Sequence, residues 1–244
     1  MIEIIDLNKT LGDFRLRNIN LKIEDNEYFV ILGPTGTGKT VILETLAGMY
    51  KPDTGRILFD GKETLHLYPE QRNIGFVYQD YMLFPHLNVR ENILFGLKLR
   101  KTSHEFMEKK LDDILKMLNI DHLEKRYPAT LSGGEQQRVS IARILVLSPD
   151  IMLLDEPFSA LDPRTKQEFQ SELKKLHREF KTTTIHITHD FNEAFALADR
   201  ICIMNKGEII QVGTPDEIIY HPVNEFVARF IGCDTMKNVK ITAV

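Results

Sequence analysis

The sequence predicts an α/β fold with an all-helical insertion, on three observations. From Phe14 to Leu32, apolar residues (Phe14, Leu16, Ile19, Leu21, Ile23) alternate with polar ones before the continuous run Tyr28-Phe29-Val30-Ile31-Leu32, a pattern of strands around a turn at Glu24 to Asn26. Between Asn88 and Val146 the period lengthens: Met107, Leu111, Ile114, Leu115 and Leu118 recur at helical spacing, with Pro128 and Gly133-Gly134 as interruptions. Short apolar runs return at Ile151 to Leu154, Thr184 to Thr188 and Ile201 to Met204. Helical segments near Arg164 to Phe180 and Asn192 to Ala198 separate them, the alternation expected of a parallel sheet. Ile57 to Phe59 and Ile74 to Tyr78 add strand character ahead of the helical stretch.

With 244 residues and 43% hydrophobic content, the chain can bury a substantial core. No stretch reaches the roughly 18 apolar residues of a spanning helix, and Met1-Ile2-Glu3-Ile4 does not open a secretory leader. The expectation is a cytoplasmic protein, and any membrane role must run through partners. Cys202 and Cys233 form neither a disulfide framework nor a metal pattern and read as ordinary thiols. A net charge of −4 without a long basic block speaks against nucleic acid as the main partner.

Gly33-Pro34-Thr35-Gly36-Thr37-Gly38-Lys39-Thr40 satisfies the pattern GxxxxGK[ST], directly after an apolar strand and before the helical pattern Val41 to Leu46. Glycines allow a tight turn whose N–H groups face phosphate oxygens, and a helix starting near Lys39 adds the positive end of its dipole. The residues therefore predict a nucleotide's phosphates as ligand, with Lys39 at the β- and γ-phosphates and the Thr40 hydroxyl on Mg²⁺. A simple glycine turn between strand and helix is the competing reading, and the context disfavours it.

Ile151-Met152-Leu153-Leu154-Asp155-Glu156 is an apolar strand ending in two acids, which places both carboxylates at the carboxyl edge of the sheet. Asp155 is expected to hold Mg²⁺, directly or through water, and Glu156 to polarise the water that attacks the γ-phosphate. Alone, two acids after a strand would fit a solvated turn better.

Between these motifs, Leu131-Ser132-Gly133-Gly134-Glu135-Gln136 resembles the signature of ABC-transporter ATPases. The resemblance runs from about residue 1 to residue 232 and includes Gln79, Ser159-Ala160-Leu161-Asp162 and His189. It implies a P-loop NTPase core, a mixed sheet with an N-terminal antiparallel β subdomain, carrying an inserted α-helical subdomain. The corresponding division is core at 1–86 and 150–232, helical signature unit at 87–149, and 233–244 as a tail or the start of a regulatory domain.

The resemblance also implies two chains packed head to tail, each holding ATP between its own phosphate loop and the partner's Ser132, Gly133, Gly134 and Gln136. A helix after Ser132 fits such an anion site physically. By position, Gln79 contacts Mg²⁺ or the attacking water and relays nucleotide state to the helical unit. His189 hydrogen-bonds the γ-phosphate and supports Glu156. Asp162 bridges the dimer seam, caps the helix after Pro163, or does both. Family members often stack adenine on an aromatic residue before a glycine; here Leu11 precedes Gly12, so the partner is Phe14 or is missing.

Within the family, the interval from Lys39 to Leu131 is too short for chromosomal coiled coils, and a single cassette without membrane helices is unlike ribosome-associated proteins and fused exporters. The stretch Tyr78 to His86 is similar to importer ATPases, as are Gln211 to Ile218 and Phe226 to Gly232. The implied partners are a second copy of the chain, membrane permease subunits and, indirectly, a solute-binding protein, with the chain peripheral on the cytoplasmic face. The wording around Tyr28 to Thr40 and Phe76 to Val89 is most similar to molybdate or tungstate importers. Sulfate, iron, polyamine or sugar import, or a soluble regulator with little hydrolysis, are the alternatives.

Overall fold

The computed structural model describes residues 1–232; Cys233 and the run from Val239 to Ile241 lie outside the described residues. In chain order the elements are β1 (Ile2–Leu11), β2 (Phe14–Ile23), β3 (Tyr28–Leu32), α1 (Lys39–Ala47), β4 (Thr54–Phe59), β5 (Lys62–Glu63) and β6 (Ile74–Val77). Then follow α2 (Val89–Leu99), α3 (His104–Met117), α4 (Gly133–Leu145), β7 (Ile151–Asp155), α5 (Pro163–Phe180), β8 (Thr183–Thr188), α6 (Phe191–Leu197), β9 (Arg200–Asn205), β10 (Glu208–Gly213), α7 (Pro215–Tyr220) and α8 (Glu225–Phe230).

β3 is buried at every residue because it is an inner strand of a six-stranded sheet ordered β10-β9-β3-β8-β7-β6. The five strands from β9 to β6 run parallel, and β10 closes one edge antiparallel to β9. Side chains of a strand alternate between faces, so each inner strand feeds two cores. Tyr28, Val30, Leu32, Met152, Leu154, Ile201 and Ile203 enter the core shared with the helices α2 to α6. Phe29, Ile31, Ile151, Leu153, Ile185, Ile187, Cys202 and Met204 enter the other, with Ile42, Leu43 and Leu46 of α1.

That second core is closed by an antiparallel sheet of order β2-β1-β4-β5, through Ile2, Ile4, Leu7, Leu16, Ile19, Leu21, Ile23 and Ile57. β1 did not emerge from the sequence reading, and the turn at Glu24 to Asn26 links strands of two different sheets. Five residues of uninterrupted hydrophobicity in β3 mark a strand covered on both faces, whereas the alternation in β2 marks one covered on a single face.

The helical stretch contains α2, α3 and α4, whose apolar faces join at Ile93, Leu97, Leu111, Ile114 and Val139. One expectation is corrected here. Gly133-Gly134 does not interrupt the helical period; the glycines form the first turn of α4. Ser132 is its N-cap, accepting from the Glu135 N–H at 3.4 Å, while the Glu135 carboxylate accepts from the Ser132 N–H at 2.7 Å. This reciprocal cap lets two poor helix formers open a helix. No helix among the described residues is long and apolar enough to cross a membrane.

Candidate active site

The loop from Gly33 to Thr40 leaves the carboxyl end of β3 and enters α1 at Lys39. Its glycines answer to space as well as to dihedral. A Cβ on Gly33 would stand 2.5 Å from the Met204 carbonyl oxygen. Gly38 has φ +93°, and a Cβ there would stand 2.3 Å from the Phe14 ring. The Thr37 hydroxyl donates to the Pro34 carbonyl at 2.9 Å and stiffens the turn.

Lys39 is only 5% exposed, and its ammonium donates to the Gly33 and Pro34 carbonyls at 2.7 and 3.0 Å. Burial lowers its pKa, while Glu156 and Asp155 pull it back up. The loop borders a cleft of about 420 Å³ whose other walls are Leu11, Phe14, Val41, Gln79, Asp155 and Glu156. Leu11 and Phe14 face each other across the β1–β2 hairpin, so the tip of the antiparallel sheet supplies the cleft's apolar wall.

Asp155 ends β7, and its carboxylate accepts the Thr40 hydroxyl at 3.1 Å. Burial raises the Asp155 pKa; the Thr40 hydrogen bond opposes this and the neighbouring Glu156 charge adds to it. The chain then turns sharply at Glu156, which adopts φ +44°. Its N–H still continues the ladder to the Ile187 carbonyl at 3.0 Å, and its own carbonyl accepts from the Ser159 N–H and hydroxyl at 3.1 and 3.0 Å. The turn aims the Glu156 carboxylate at His189, which follows β8, with Oε2 to Nδ1 at 3.0 Å. When Glu156 is ionised, Nδ1 must carry the proton and donate.

The Thr40 and Asp155 oxygens converge within hydrogen-bonding distance, a donor set suited to a hard cation such as Mg²⁺. No cluster of three or more His, Cys, Asp or Glu suited to a metal occurs among the described residues. Cys202 is buried and unpaired, and burial pushes its thiol pKa far up.

Ser132, Gly133, Gly134 and Gln136 do not line the cleft. The start of α4 packs instead on the segment after β7: a Cβ on Gly133 would meet the Ala160 carbonyl at 3.5 Å, and one on Gly134 would meet Thr165 at 3.0 Å. Gln136 donates to the Leu131 carbonyl at 3.2 Å. The capping alternative for Asp162 is realised: its carboxylate accepts from the Arg164 and Thr165 N–H groups at 3.1 and 3.2 Å.

Two residues beside the site escaped the sequence reading. Arg143 of α4 reaches the loop after Gln79, and Lys166 of α5 reaches the turn that carries His189. Lys166 has a faint signal in its place four residues after the Asp162 cap; Arg143 has none, since its partners are backbone carbonyls.

A phosphate loop on the strand edge of a parallel sheet, with a carboxylate in the cleft wall bonded to a histidine, defines a nucleotide-hydrolysing cassette. The sequence profile of the ABC transporter family matches residues 16–159. A molybdate/tungstate import ATP-binding protein of Pyrococcus abyssi is 47% identical over 236 residues, covering 97% of this chain and 69% of the relative. A sulfate/thiosulfate import ATP-binding protein of Pectobacterium atrosepticum is 45% identical over 236 residues, covering 95% of this chain and 72% of its own. Among solved structures, cbiO1 of Clostridium perfringens, part of the cbiONQ transporter complex, superposes with TM-score 0.82 at 33% identity, covering 89% of each chain. A dimeric post-hydrolysis state of the cassette MJ0796, bound to ADP and Pi, superposes with TM-score 0.78 at 33% identity over 88% of this chain and 99% of that one. The chain belongs to the ABC transporter family and is an ATP-binding, ATP-hydrolysing member of it.

Proposed function

We propose that this chain is the ATPase subunit of an importer, working as a head-to-tail dimer on the cytoplasmic face of a membrane and driving uptake of a tetrahedral oxyanion, molybdate or tungstate. The observation that carries the import reading is the 47% identity over nearly the whole chain to molybdate/tungstate import proteins. Sulfate is the second reading, favoured by relatives of similar identity. The dimer reading draws support from the MJ0796 dimer and from the signature residues' not lining their own cleft.

In this reading Gly33 to Thr40 cradle the phosphates of ATP. Lys39 exchanges its loop carbonyls for the β- and γ-phosphate oxygens, and Leu11 and Phe14 face the adenine. Thr40, Asp155 and Gln79 would hold Mg²⁺, which would supply neutralisation of the phosphate charge. Glu156 takes a proton from the water whose oxygen forms the new bond to the γ-phosphorus. The bond to the β-bridging oxygen breaks, leaving ADP and phosphate. His189 donates through Nδ1 to the Glu156 carboxylate, and with Nε2 also protonated it donates to a γ-phosphate oxygen. Ser132, Gly133, Gly134 and Gln136 of the second chain close the site from the far side, and Asp162 lies at the seam.

Residues 87–149 act as the moving helical unit between core segments 1–86 and 150–232. A surface depression of about 560 Å³ beside Gln79, with Tyr78, Met82 and Ala160, fits a short permease helix. Met82 is half exposed there. The test uses Glu156→Gln protein, ATP and native membranes. Recovery of a permease with a solute-binding protein supports import, and titration of that binding protein with molybdate, tungstate and sulfate reads the cargo. Recovery of soluble partners alone contradicts it.

A further inference from the structure

Beneath the turn Thr188-His189-Asp190 lies a charge cluster that the phosphate loop and the β7 carboxylates do not account for. Lys166 leaves the first turns of α5, and its backbone N–H bonds the Asp162 carbonyl at 2.9 Å. Its ammonium meets Asp190 Oδ2 and Glu193 Oε1, both at 2.6 Å. The other Asp190 oxygen caps α6, accepting from the Asn192 N–H at 2.8 Å. The other Glu193 oxygen accepts the Thr188 hydroxyl at 2.6 Å, and that hydroxyl oxygen accepts the Asp190 N–H at 3.0 Å. Both ends of the three-residue turn are therefore attached to one ammonium.

His189 itself is little packed, with its side chain 55% exposed. Its ring position depends on the turn beneath it and on the 3.0 Å bond to Glu156. A space of about 150 Å³ is lined by Glu156 and His189 together with Lys166, Glu193, Ser159 and Leu161, so the cluster borders the pair. Without the ammonium, Asp190 and Glu193 lose their common partner and the turn loses its tie to α5.

We propose that Lys166 is a positioning residue for ATP hydrolysis, holding the His189 turn in register with Glu156 and tying that turn to the α5 terminus capped by Asp162. A shift of residues 159–162 at the seam then moves His189. The inference rests on the roles proposed above for Glu156 and His189.

The experiment compares steady-state hydrolysis of Mg-ATP by the full chain and four variants: His189→Ala, Lys166→Met, Lys166→Arg and the charge-balanced pair Lys166→Met with Glu193→Gln. In Lys166→Met, kcat is expected to fall about tenfold or more with KM within about twofold of wild type. Lys166→Arg, which keeps the charge and the donors, is expected to stay within about threefold. The charge-balanced pair remains slow, because relieving repulsion does not restore the tie. Should Lys166→Met not fold, the Arg and charge-balanced variants carry the comparison. Wild-type kcat in Lys166→Met or in the charge-balanced pair, with His189→Ala impaired, overturns the role of Lys166 alone. Wild-type kcat in His189→Ala overturns the reading of His189 and this inference with it.

Discussion

The Arg143 guanidinium donates to the Met82 carbonyl at 2.6 Å and to the Tyr81 carbonyl at 3.1 Å. Tyr81 and Met82 have φ of +61° and +44°, so two consecutive residues of the loop after Gln79 sit in the left-handed region and are fastened to the helix capped by Ser132. The same guanidinium lies over the Phe84 ring, 5.4 Å from its centroid.

Arg143→Ala would leave that loop without its partner and is expected to cost about 1–3 kcal/mol of stability, read as a lower urea midpoint. Arg143→Lys should recover only part, since an ammonium on a flexible stem does not reproduce the planar fork. An unchanged midpoint for the alanine variant would contradict the fastening.

Lys39→Ala separates binding from folding. The lysine's present partners are two carbonyls of its own loop, so its removal should leave the melting midpoint nearly unchanged. Affinity for a fluorescent ATP analogue should fall by about tenfold or more. Equal affinity in the variant would remove Lys39 from the phosphate site.

At Gly38, an alanine Cβ would press on the Phe14 ring and force a disfavoured φ. Gly38→Ala is expected to destabilise by about 1–3 kcal/mol, and by less in a Phe14→Leu background, where the Leu16 contact and the backbone strain persist. Strict additivity in the double-mutant cycle would show that the contact is not felt.

Acid should act through Glu193. Burial raises its pKa, but the His186 ring 3.5 Å away and the bonds from Lys166 and Thr188 outweigh this and hold the carboxyl at about 2, below its ordinary 4.5. A depressed folded-state pKa stabilises the protein above the unfolded value, and that contribution is lost as pH falls from about 4.5 toward about 2. Denaturant midpoints of wild type should drop across this window more steeply than those of Glu193→Gln. Parallel curves would count against the cluster.

The β3 run, the phosphate loop and the acids closing β7 were legible in the sequence because each is written locally, as continuous hydrophobicity or fixed spacing. Asp162 was legible as a cap for the same reason. β1 was not read: Asp6, Asn8 and Lys9 break the alternation, and the β1–β2 register shifts between Ile4 and Leu7 and between Leu7 and Lys9. The junction of Lys166 with Asp190 and Glu193 spans 24 and 27 residues, and Arg143 to Met82 spans 61. Such contacts exist only once α4 and α5 have packed on the sheet, and no local pattern encodes them. Phe14 illustrates a mixed case, since it both lines the cleft and fills the space beside Gly38.

The most direct measurement is the molar mass of Glu156→Gln by light scattering with and without Mg-ATP, alone and combined with Ser132→Arg. The account predicts that ATP converts Glu156→Gln to a dimer retaining two nucleotides, and that Ser132→Arg prevents this while each chain still binds ATP. A Glu156→Gln chain that stays monomeric with ATP, or hydrolyses it at the wild-type rate, contradicts it.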